Sequence, residues 1–148
     1  MATEILLIRH GLTDAVGHVI AGRQAGWSLN ETGRQQTAAL VAQLATVHLA
    51  AVISSPLERT LQTAEAIART RGLVVERDAA FLEFNFGDWE GRTFAELSAE
   101  QAWQRFNRVR SLTRAPGGES MLDVQQRAVR ALTRLAARFA AARVAVVS

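Results

Sequence analysis

The chain contains no cysteine, no lysine and no tyrosine, and no apolar run in it is long enough to cross a bilayer. Without cysteine there can be no disulfide, no thiolate nucleophile and no cysteine-ligated zinc or iron–sulfur centre. The missing lysine and tyrosine explain a sequence isoelectric point of about 11.1. All 17 basic residues are arginines, which stay protonated far above neutrality, yet the net charge near pH 7 is only +3. Nucleic-acid binding would call for a clustered basic stripe with stacking aromatics. The nearest candidate, Arg105, Arg108, Arg110 and Arg114 with Trp103 and Phe106, reads more simply as a solvated helix face with an apolar side. No nucleic-acid partner and no membrane partner is expected. The N-terminus leads straight into a strand, with no basic n-region or cleavage site, so no secretory signal is expected and a cytoplasmic location is.

What is present is an ordinary globular composition. With 148 residues, 49% hydrophobic and 21% charged, the chain can bury a core as a single domain spanning 1–148. Strand and helix signals alternate. Ile5–Ile8 reads as a buried strand, and Asn30-Glu31-Thr32 introduces a helical pattern carrying Ala38, Leu40, Val41 and Leu44. Ala51-Val52-Ile53 reads as a second strand. Ser55-Pro56 then opens a helix, with Ser55 as its cap, Pro56 in its first position and Glu58 at capping-box spacing. That helix runs through Leu61, Ala64 and Ile67 to a stop at Gly72. Leu73-Val74-Val75 is the third strand candidate. Phe81 to Trp89 is aromatic and irregular, Thr93 begins a helical segment, and Pro116-Gly117-Gly118 marks a loop. Ser120, with Asp123 three residues on, caps a long helix, and Val144–Val147 is a final strand. The alternation predicts an α/β protein: a three-layer α/β/α sandwich around a mostly parallel central sheet.

The residues that end each strand carry the chemistry. Arg9-His10-Gly11 follows the first, Ser54-Ser55-Pro56-Leu57-Glu58-Arg59 the second, and Glu83 the third. A parallel sheet places all three on one edge, where open α/β sheets bind ligands. That edge would then hold a nucleophile candidate in His10, two guanidinium forks for phosphate oxygens in Arg9 and Arg59, and a carboxylic acid in Glu83. Arg59, in the first turn of its helix, would add to the anion affinity of a helix N-terminus. Glu83 lies among aromatics, where partial burial favours the protonated form and suits it to protonate a leaving alkoxide. Each residue alone also fits a bland reading: a hydrogen-bonded strand-end histidine, a surface arginine paired with Glu58, an exposed turn glutamate.

Five blocks in order resemble the histidine phosphatase superfamily, which includes cofactor-dependent phosphoglycerate mutases and many small phosphatases. They are Leu7-Ile8-Arg9-His10-Gly11-Leu12-Thr13, Leu29 to Gln36, Ser54 to Ala64, Leu82-Glu83-Phe84-Asn85-Phe86-Gly87-Asp88-Trp89-Glu90-Gly91, and Pro116-Gly117-Gly118-Glu119-Ser120. The resemblance implies that His10 accepts the phosphoryl group, that Arg9 and Arg59 hold its oxygens, and that Glu83 is the general acid and then the base. It implies that Arg23, within Ala21-Gly22-Arg23-Gln24, contacts substrate or builds the pocket rim, with Thr13 and Gly22 also on the substrate side. Gly118, Glu119 and Ser120 border the pocket or serve the helix cap. The implied mechanism needs no metal and no other cofactor, because arginines supply the electrostatics.

The pattern departs from the family at two places. Relatives carry a second histidine at the end of the last core strand, whereas Val146-Val147-Ser148 reaches that point and stops. His18 and His48 do not fit the role, since one lies in the loop after His10 and the other just before the second strand. A domain lacking its C-terminal segment is therefore expected, with impaired turnover if Ser148 ends the protein. Val16 stands where relatives often place an asparagine, and valine cannot donate that hydrogen bond. The compact interval from Glu83 to Glu119 and the Phe86–Gly91 stretch resemble the small-phosphatase branch, including α-ribazole phosphatase-like proteins. Hydrolysis of a small phosphate monoester is thus expected. The alternatives are a phosphoglycerate mutase-type transferase and a non-catalytic phosphate-binding module. Apolar positions around Trp103 and Phe106 are compatible with a homodimer or with core packing.

Overall fold

Strands that are apolar at nearly every position belong in a sheet covered on both faces. The computed structural model, which describes residues 2–148, has that arrangement at its two central strands. Strand β1 (Glu4–Ile8) is followed by helix α1 (Glu31–Gln43), β2 (Ala51–Ser54), α2 (Glu58–Arg69) and β3 (Val75–Arg77). Two short helices, α3 (Phe94–Ser98) and α4 (Gln101–Arg108), precede the long α5 (Met121–Arg138) and the last strand β4 (Arg143–Val147). The sheet order is β1-β4-β2-β3, and every pairing is parallel. β4 is thus inserted between β1 and β2, with Val147 level with both Ile8 and Ser54.

Alternation along the two central strands divides the core. Val52, Ala145 and Val147 face α1 and α2, where they meet Ala64, Ile67 and Leu44. Ile53, Val144 and Val146 face the other way, onto Ala131 and Leu135 of α5 and onto Phe81. These are the three layers the sequence predicts. A third cluster lies outside the sheet. Phe84, Trp89, Leu97 and Phe106 pack with Ile20 and with Trp103, so the excursion between β3 and α5 has its own small core. Phe106, weighed above as a dimer surface, is 2% exposed and is part of that core.

The helix ends follow local chemistry at three places. The Asn30 side chain accepts from the Gly33 amide at 2.8 Å and caps α1. Thr93 with Glu96 and Ser120 with Asp123 form reciprocal capping boxes at α3 and α5. Two expectations need correction. Ser55 does not cap α2: its amide donates to Val147 O at 3.0 Å, which holds it in line with the sheet, and the helix begins at Glu58 with Leu57 as its uncapped N-cap. The third strand is Val75–Arg77, not Leu73–Val75. The Leu73 amide closes the end of α2 on Ala68 O at 3.1 Å, and Val75 is the first residue to pair, with Val52.

Candidate active site

Because the sheet is parallel, the C-terminal ends of its strands share one edge, and the residues after β1, β2 and β3 converge there. Arg9, His10, Arg59 and Glu83 line one cleft of about 280 Å³. A larger apolar groove, about 410 Å³, runs along β1 between Leu7, Phe81, Val124 and Leu132. Among the described residues no imidazole or side-chain carboxylate lines that groove, whereas the smaller cleft has both.

His10 is fixed by its neighbours. Its amide donates to Ser148 O at 3.0 Å, continuing the ladder beyond the strand end. Nδ1 lies 2.7 Å from Gly11 O. A carbonyl oxygen can only accept, so Nδ1 carries the proton and Nε2 keeps its lone pair. That lone pair accepts from Arg59 Nε at 3.1 Å. Burial pulls the imidazole below its ordinary value of 6.5. The Gly11 hydrogen bond and Glu83 oppose this, while the charges of Arg59 and Arg9 add to it.

Arg59 projects from the first turn of α2 and is 3% exposed. Burial also lowers its pKa, against the pull of Glu83 and Glu90. Its NH2 donates to Gly22 O at 2.8 Å. Gly22 has φ +48°, and a Cβ there would run into the Glu90 carboxylate, so only glycine lets this carbonyl approach. The Gly11 amide donates to Thr63 Oγ1 at 3.2 Å, tying the His10 turn to the second turn of α2.

Glu83 lines the same cleft. Its Oε1 accepts from the Phe84 amide at 2.8 Å. Its backbone carbonyl receives two guanidinium groups, Arg23 Nε at 2.9 Å and Arg127 NH2 at 3.1 Å. Glu119 ties these together: it pairs with Arg23 at 3.0 Å and with Arg127 at 3.0 Å, and it accepts from the Asn85 amide at 3.0 Å. Burial pushes the Glu119 carboxyl up. The hydrogen bonds from Arg127 and Asn85 and the two arginine charges outweigh that and hold it below the usual glutamate range.

A sequence model of the histidine phosphatase superfamily, branch 1, matches residues 5–148. The chain belongs to this superfamily. Among curated relatives, a glucosyl-3-phosphoglycerate phosphatase of Mycobacterium tuberculosis is 37% identical over 85% of this chain and 57% of its own. Among solved structures, Bacillus stearothermophilus YhfR is 35% identical, with TM-score 0.93 over 99% of this chain and 74% of its own. The α-ribazole phosphatase of Shigella flexneri is 29% identical, with TM-score 0.88 over 97% and 72%. Other curated relatives match 99% of the chain at 39% identity, and the chain spans only 41% of their length.

Within this superfamily chain, the residues singled out by sequence fall into two groups. Thr13 and Gly22 line the cleft beside the four charged residues. Arg23 does not line it, because its guanidinium is committed to Glu119 and to the Glu83 carbonyl. Ser120 is a helix cap, and Glu119 is the centre of the brace behind Glu83. Sequence reasoning missed Arg127. It lies mid-helix in α5, and no spacing signal marks it. Only the fold brings it to Ala80 O at 2.7 Å and to Glu83 O.

Proposed function

We propose that the chain is the catalytic core of a phosphatase that hydrolyses a small phosphate monoester through a phosphohistidine on His10. The observation that carries this reading is the imidazole itself. Its Nδ1–H is held on Gly11 O, and its Nε2 lone pair faces a cleft shared with Arg9, Arg59 and Glu83. A phosphoryl group entering the cleft takes the Arg59 donors and frees Nε2 for attack on phosphorus. The N–P bond forms as the P–O ester bond breaks, and the Glu83 carboxyl delivers its proton to the departing alkoxide. Glu83, now ionised, takes a proton from water as the water oxygen attacks the phosphohistidine. The N–P bond breaks, inorganic phosphate leaves, and His10 is again neutral. Arg9 and Arg59 offset the charge on the equatorial oxygens throughout, the main electrostatic task in phosphoryl transfer.

Ser148 donates to Ile8 O and accepts from the His10 amide, both at 3.0 Å. A histidine supplied directly after Ser148, as the family pattern has it, would reach the same cleft and add a donor to the bound phosphoryl group. Water rather than a second substrate hydroxyl is the acceptor we favour, since the interval between Glu83 and Glu119 is short and folds into its own aromatic core.

The test is mass spectrometry of protein quenched in denaturant at alkaline pH, where the acid-labile N–P bond survives, during turnover of a generic phosphate ester. The native protein should carry one phosphoryl group on His10, and His10→Ala should lose both the label and turnover by at least about a thousandfold. Turnover that survives His10→Ala would refute the reading. Conversion of 3- to 2-phosphoglycerate outpacing phosphate release would replace it with the mutase reading.

A further inference from the structure

The cleft has two unlike halves. Its charged side chains, Arg9, Arg59 and Glu83, gather about the neutral His10. The other end is walled by Val16, Val19, Ile20, Phe86 and Phe94. Val16 is 42% and Phe94 40% exposed, so two large apolar side chains face solvent at the mouth of a charged site. Apart from His10, Thr13 is the one neutral hydrogen-bonding side chain among the described lining residues, and it is 3% exposed. Arg23, the nearest further cation in sequence, is held away by Glu119.

This apolar wall is braced from behind. Val19 bridges Thr93 in antiparallel fashion, and the Phe94 amide donates to His18 O at 3.3 Å. The Ile20 amide donates to Arg92 O at 2.9 Å. The Phe86 ring packs on Phe84 with centroids 4.6 Å apart, and Phe94 leans on Trp103 at 6.3 Å. A wall so fixed is pre-organised for a matching surface. A carboxylate or a set of hydroxyls pressed against it would lose water and gain no partner. A hydrocarbon face would lose water with benefit.

We propose that the second half of the cleft selects phosphate monoesters of apolar, ring-bearing alcohols over carboxylated or polyhydroxylated ones. This rests on the phosphatase reading for its catalytic form, and on the cleft alone for its binding form. The phosphate occupies the charged end, and the alcohol's ring lies along Phe94 and Val16 with its ester oxygen turned to Glu83.

Two measurements test it. The first compares kcat/KM for 2-phenylethyl phosphate and glycerol 3-phosphate, whose leaving groups are both simple alkoxides, so the chemical step is closely matched. The phenylethyl ester should be favoured by about tenfold or more, and Phe94→Asn or Val16→Asn should shrink that ratio toward one. The second is calorimetric binding of 2-phenylethylphosphonate against inorganic phosphate, which needs no turnover; the phosphonate should bind about tenfold tighter or better. Hydrolysis of both esters with no preference, or with glycerol 3-phosphate ahead, overturns the inference and leaves the phosphatase reading intact. Preferential phosphonate binding without hydrolysis of either ester upholds the subsite and overturns the phosphatase reading. Equal affinity for the two anions overturns the subsite in any case.

Discussion

The role proposed for His10 needs a free lone pair, and its surroundings favour the neutral ring. Burial lowers its pKa first, and the guanidinium charges of Arg59 and Arg9 add to that, against the Gly11 carbonyl and Glu83. The neutral form therefore persists below the ordinary 6.5 and is lost only as pH falls through the lower, folded-state value. We expect the ring-proton resonance of His10 to titrate with a midpoint under 6.5, and Arg59→Gln to move that midpoint upward. A native midpoint at or above 6.5 would mean that the cleft is wetter than its geometry says. A second residue-scale expectation concerns the brace behind Glu83. Arg127 fixes the Glu83 main chain through its carbonyl and is itself fixed by Glu119. Arg127→Met should leave phosphate binding nearly unchanged and misplace the acid. General-acid help is worth about a hundredfold to ten-thousandfold, so kcat/KM on an alkyl phosphate should fall by about tenfold or more. A dinitrophenyl phosphate, whose leaving group needs no proton, should lose much less. Equal losses on both esters would show that Arg127 supports the fold alone.

Elements matter here because strand ends, not strands, supply the residues of the proposed chemistry. Arg9-His10, Arg59 and Glu83 were legible in sequence because each follows an apolar run, and a parallel sheet brings such ends to one edge. Capping was legible where side chain and amide are three residues apart, as at Ser120 and Asp123. It was not legible at Ser55, where the spacing is right but the sheet claims the amide through Val147. Nor could spacing reveal that Arg23 turns from the cleft to Glu119, or that Arg127 joins it, since those contacts link segments far apart in sequence. One element contact governs the site directly. α1 lies so close to the His10 turn that a Cβ on Gly33 would overlap Leu12 O, and one on Gly11 would overlap Gly33 O. Gly33→Ala must push α1 off that turn. We expect a loss of about 1–3 kcal/mol in unfolding free energy, read as a lower denaturant midpoint at unchanged m-value. A midpoint equal to the native one would show that the contact relaxes freely.

At the scale of the whole molecule, the absence of lysine and tyrosine reaches into function. The cation count is carried by 17 arginines, and no other side chain here titrates between the histidine range and the guanidinium range. Many of those arginines sit in exposed pairs at the periphery, such as Arg34 with Glu31 and Arg138 with Glu76, which contribute little to stability. The ones proposed to bind the anion are Arg9 and Arg59 at the sheet edge. Burial lowers Arg59, yet a guanidinium remains protonated through any ordinary buffer range. The cleft should therefore hold a dianionic phosphonate with constant affinity from about pH 8 to about pH 10, where lysine-built anion sites begin to fade. Electrophoretic mobility of the 148-residue chain should stay nearly flat over the same interval, which separates charge on the molecule from charge in the cleft. Flat mobility with falling affinity would place a titrating group other than arginine against the bound anion, and the two-arginine account of phosphate binding would fail.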